Sequence, residues 1–75
     1  MKRIAFATPE ELTEHCLREE ISLVIEYRDE HNKQRQVVLQ GEELNELEEY
    51  FRYSGVTAYY RKDGIFYEIK AEWLR

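Results

Sequence analysis

Cysteine occurs once in this chain, at position 16, so no internal disulfide can form and a lone thiol fits a reducing compartment. Glycine is scarce: Gly41, Gly55 and Gly64 are the only three, each explicable by a turn or a helix end, which leaves no glycine-rich loop to cradle a phosphate. Pro9 is the single proline, and no Pro or Gly cluster marks a linker. No apolar run exceeds four residues, against the ~20 that a membrane helix needs. Met1-Lys-Arg-Ile-Ala-Phe6 also lacks the apolar core of a secretory signal. These shortages lead to the expectation of one small domain over residues 1–75, cytoplasmic and without a membrane segment. At this size a single core supplies only about 3 to 5 kcal/mol of net stability.

What the chain has is charge and aromatic rings. Sixteen acidic residues against eleven basic ones give a net charge of −5, which argues against bulk affinity for duplex DNA. The charge is uneven: residues 8–20 and 41–54 hold ten acids against Arg18 and Arg52, or −8, and the rest holds nine bases against six acids, or +3.

The element order follows from periodicity. Lys2 to Ala7 alternates around Ile4 and Phe6 and reads as a short strand. Thr8-Pro-Glu-Glu11 is a dense helix start: Thr8 caps the free amide three residues on, Pro9 loses nothing at the first helical position, and Glu11 reaches back. A helix over about Pro9 to Glu19 follows, with Leu12, Thr13, Cys16 and Leu17 on one arc and Glu11, Glu14, His15 and Arg18 on the other, Glu14 and Arg18 at ion-pair spacing. Ile21 to Arg28 and Gln34 to Gln40 read as a hairpin in which Leu23 and Ile25 face Leu39 and Val37. Gly41 to Gly55 reads as a second helix with Leu44, Leu47, Tyr50 and Phe51 inward and Glu42, Glu46, Glu49 and Tyr53 outward, stopped by Gly55. Val56 to Trp73 is a second hairpin around Asp63-Gly64, a turn that needs residues tolerant of positive φ.

The order β-α-β-β-α-β-β predicts an α+β two-layer sandwich. The ferredoxin-like arrangement is its simplest form: an antiparallel sheet with the first strand central, both helices on one face and an extra C-terminal edge strand.

Catalytic and metal chemistry find little to stand on. His15, Cys16 and His31 are the only soft ligands, and neighbours on a helix project about 100° apart, so His15 and Cys16 form no claw. Cys16 is expected in the core and His15 on a solvated flank. No hydrolase, kinase or nucleotide motif is present, so neither enzyme activity nor a metal or cofactor is expected.

Two surfaces remain. Glu11, Glu14, Glu42, Glu46 and Glu49 with Tyr53 form an acidic helical face suited to a partner protein with a basic surface, its carboxylate rows standing where nucleic-acid phosphates would. Small acidic regulators and inhibitors carried by phages and mobile elements work in that style. The uncovered sheet face is expected to show Arg3, Gln36, Tyr59, Arg61, Phe66 and Lys70, rings flanked by cations that fit single-stranded nucleic acid as the alternative. That face, or the free edge of the last strand, would equally serve a homodimer.

Overall fold

A computed structural model describes residues 1–74. Five strands form one mixed sheet in the order β1-β5-β4-β2-β3. They are β1 (Lys2–Phe6), β2 (Leu23–Arg28), β3 (Gln34–Leu39), β4 (Ser54–Lys62) and β5 (Ile65–Ala71). Helix α1 spans Pro9–Arg18; the second helical region is a 3-10 segment, Gly41–Glu46, followed by the single α-turn of α2, Leu47–Tyr50.

The α+β class and the seven-element rhythm match the sequence, but the strand order does not. A ferredoxin-like sheet would centre β1; here β1 takes an edge and runs parallel to β5, with Ile4 opposite Ile69. The last strand is therefore interior, and its edge is filled rather than free. The physical reason lies in β5: its inner row, Tyr67, Ile69 and Ala71, needs a partner on the side away from β4, and Ile4 and Phe6 supply one.

Local chemistry explains most of the rest. The Thr8 hydroxyl accepts from the Glu11 amide at 3.1 Å and the Glu11 carboxylate accepts from the Ala7 amide at 3.1 Å. The far end of α1 closes by a Schellman pattern: Glu20 sits at φ +53°, and the Ile21 amide donates to Cys16 O at 2.9 Å. No glycine announces that stop.

The second helix, expected over Gly41–Gly55, is shorter and tighter. Leu44 and Leu47, each 1% exposed, stand three residues apart, a spacing that three residues per turn aligns on the core. Glutamates at 42, 43, 46 and 49 repel at three- and four-residue spacings, which weakens a long α-helix.

Gly55 proves to be inside β4. The β2–β4 register runs Glu26↔Thr57 and then Arg28↔Ser54, so β4 carries one extra residue opposite Tyr27. Gly55 at φ +61° supplies the left-handed backbone of that bulge. The Asp63-Gly64 turn has φ of +52° and +78°, the pair of positive angles a two-residue type I′ hairpin requires.

One core unites these elements. Phe6, Leu12, Cys16, Leu23, Ile25, Leu39, Leu44, Leu47, Phe51, Ala58, Tyr60 and Ile69 share it, so residues of both helical regions pack on the inward row of every strand. His15 departs from the expected solvated flank. It is half-buried, its ring 5.3 Å from Phe6 and its Nε2 3.3 Å from the Tyr60 hydroxyl.

Candidate functional site

The helical side is strongly acidic. Glu10, Glu11 and Glu14 on α1, and Glu42, Glu43, Glu46, Glu48 and Glu49 on the 3-10 segment and α2, are all exposed. Two of the eight serve the backbone: Glu11 caps α1, and Glu43 accepts from the Gln40 amide at 3.2 Å. Among the described residues, none of the other six makes a side-chain hydrogen bond or an ion pair. Glu14 and Arg18 do not close the ion pair their spacing suggests.

The expected contact set is distributed over two grooves and the exposed side of the 3-10 segment. Glu14 lines a groove between α1 and the second helical region with Glu10, Thr13, Leu17, Asn45 and Glu48. Glu49 and Tyr53 line another, about 490 Å³, with Tyr27, Tyr50 and Arg52. Glu42 and Glu46 are exposed on the 3-10 segment, outside both grooves. Tyr53 follows α2 in a turn instead of projecting from a helix.

The second groove is built on three tyrosines. Tyr27, the last inward residue of β2, passes the end of the helical cover because α2 stops at Tyr50. Its ring stacks on Tyr53 at 4.5 Å and tilts against Tyr50 at 5.6 Å. Desolvation first, and then the carboxylate of Glu46, with smaller contributions from Tyr27, Glu49 and Tyr53, raises the Tyr50 phenol above its ordinary value. Rings with carboxylates beside them suit a guanidinium or ammonium group, which gains from both. Among the described residues, Arg52 is the one cation on that wall. Tyr27 and Tyr50 are absent from the expected set: strand alternation assigns Tyr27 and helical spacing assigns Tyr50 to the inward side, and only the early end of α2 uncovers them.

The opposite sheet face carries Arg3, Tyr59, Arg61, Phe66 and Lys70. The register aligns Arg3, Glu68, Tyr59, Val24 and Val38 in one row across all five strands, with Arg61 opposite Phe66 and Ala5 opposite Lys70 in flanking rows. The rings of Tyr59 and Phe66 lie 6.3 Å apart, and the Arg61 guanidinium carbon is 5.5 Å from the Phe66 centroid. A largely apolar hollow of about 400 Å³ opens beside them. Acids on this face occupy part of its hardware. Arg3 pairs with Glu68 at 2.8 Å, and Glu26 accepts from the Tyr59 hydroxyl at 3.2 Å and from Gln36 Nε2 at 3.0 Å.

Cys16 is fully buried and burial pushes its thiol up to about 12, the opposite of what a nucleophile needs. Among the described residues, no group of three His, Cys, Asp or Glu side chains is placed to hold a metal ion, and no helix is long and apolar enough to cross a membrane. No protein family, curated protein or solved structure matches this chain.

Proposed function

We propose that this chain is a non-catalytic binding domain that docks a basic partner protein in the cytoplasm through its acidic helical side. The carrying observation is the tyrosine groove: three rings beside Glu46 and Glu49, at the edge of a surface on which six of eight carboxylates lack partners among the described residues. Carboxylates alone would steer a cationic partner into encounter, and the rings add the desolvated anchor that turns encounter into residence. A nucleic-acid-binding protein is the partner class that fits best, since carboxylate rows can occupy the places its phosphates would take. Regulators and mobile-element inhibitors of such enzymes act that way.

The test uses a fluorescent Arg/Lys-rich peptide as a stand-in for the partner's basic surface, read by anisotropy. Replacing Glu42, Glu46 and Glu49 with Gln should weaken binding about tenfold or more. Tyr53→Ala should weaken it without changing net charge, and Arg52→Ala should strengthen it. Affinity that follows net charge alone, indifferent to Tyr53, would refute docking at this groove.

Single-stranded nucleic acid on the sheet face is the second reading, favoured by the Arg61–Phe66 contact and opposed by Glu26 and Glu68 on the same face. It predicts oligonucleotide binding at low salt that Tyr59→Ala with Phe66→Ala abolishes.

A further inference from the structure

The two edges of the sheet are unequally protected. At one edge, β1 opens with Lys2, and a lysine is a usual guard against strand addition; the Arg3 beside it is paired to Glu68 within the chain at 2.8 Å. At the other, β3 reads Gln34-Arg-Gln-Val-Val-Leu39: no proline, no glycine, no acid and an unbroken register with β2. Its one cation, Arg35, is tied within the chain to Asp29 at 2.8 Å. Among the described residues, no backbone bond outside the β2 ladder involves Gln34 to Leu39. Val38 stands 49% exposed on this strand.

We propose that β3 is the seam of a two-fold dimer, pairing antiparallel with β3 of a second copy so that two sheets join into one. The strand is self-complementary. Same-face pairing allows two central registers, Gln36 opposite Gln36 or Gln36 opposite Val38, and in both Arg35 meets an apolar residue, Val37 or Leu39, never another charge. The flanks add attraction: antiparallel pairing sets Lys33 of each copy against the Leu39 to Gly41 stretch of the other, next to its Glu42 and Glu43. Symmetry makes that contact twice. A six-residue seam is small for an interface, so the dimer should be weak, with a dissociation constant on the order of micromolar to tens of micromolar.

Sedimentation of the full chain over a concentration series is the test. Dimer should accumulate with concentration, and Gln36→Pro, which places the natural edge-blocking residue on the seam, should weaken it about tenfold or more. Val38→Lys, at an already exposed position, should do the same; circular dichroism verifies that both variants fold. Lys33→Glu should weaken the dimer, and Lys33→Glu combined with Glu42→Lys and Glu43→Lys should restore it. A chain that stays monomeric at millimolar concentration overturns the proposal. So does a dimer indifferent to Gln36→Pro and the Lys33 exchange but lost on Tyr59→Ala with Phe66→Ala, which would mark pairing by the sheet face.

Discussion

Alkaline pH should weaken this fold through one thiol. Cys16 is 0% exposed, and burial raises it from 9.0 to about 12. In the unfolded chain the thiol meets water and ionises near 9.0. At neutral pH both states keep the proton, so the contribution is fully present there. As pH rises through the unfolded value, only the unfolded state ionises, and stability falls by about 1.4 kcal/mol per pH unit. The loss stops once the folded thiol also ionises, near 12. Integrated, it is about 0.4 kcal/mol at pH 9 and about 1.4 kcal/mol at pH 10. Against a net stability of about 3 to 5 kcal/mol, the second figure is a large fraction.

Tyr50, Tyr59 and Tyr60, each raised chiefly by desolvation, add losses of the same sign, so the thiol must be isolated by difference. Urea titrations followed by Trp73 fluorescence supply the measurement, because that indole packs on Phe51 at 5.2 Å and reports the core. Run at pH 7, 8, 9 and 10 on the native chain and on Cys16→Ala, they separate two effects. The alanine loses packing at every pH, a constant offset; the native chain alone loses the thiol term. The gap should close by about 1.4 kcal/mol between pH 7 and 10. Parallel curves would mean that the folded thiol ionises as freely as the unfolded one, and the burial of α1 against the sheet would be wrong.

Leu12→Ala, at a fully buried position on α1, should cost about 2 to 5 kcal/mol and leave the chain largely unfolded by near-UV circular dichroism at 25 °C. Glu20→Gly relieves a non-glycine residue at φ +53° and should stabilise by about 0.5 to 1 kcal/mol in urea; a loss of stability would deny the left-handed stop. Gly55→Val should destabilise more than Gly55→Ala, although nothing stands within 4 Å of an added Cβ, because both residues strain at φ +61° and branching adds to it. Asp29, held low by Arg35 first and by the Lys33 and His31 amides as well, organises the β2–β3 loop. Its contribution is present above the unfolded carboxylate value and lost as pH falls through the lower folded one. Asp29→Asn should therefore flatten the acid limb of the stability curve and speed amide exchange at His31 and Lys33.

Short-range patterns were legible in the sequence and long-range pairings were not. Alternation assigned the inner and outer rows of both hairpins correctly down to Leu23↔Leu39 and Ile25↔Val37. Thr8 and Glu11 announced the start of α1 by side-chain chemistry that needs only neighbours. The place of β1 could not be read that way, because its partner is 65 residues distant and several strand orders would hide Ile4 and Phe6 equally well. The second helix misled because leucines at 44 and 47 fit both helical periods. Site membership failed at the same point: a helix reaching Gly55 would cover Tyr27 and Tyr50, and one ending at Tyr50 leaves them at the rim.

The parallel pairing of β1 with β5 also sets an order of events. The two hairpins join consecutive strands and the β2–β4 pairing spans an intermediate stretch of chain, whereas this one closes the longest loop among the strand pairings, and its entropic cost must be met before any contact rewards it. The two hairpins and α1 can therefore assemble while Ile4 and Phe6 are still exposed, and the sheet is completed only when residues 65–71 are in place. Of these five strands, β1 is synthesised first and its partner β5 last.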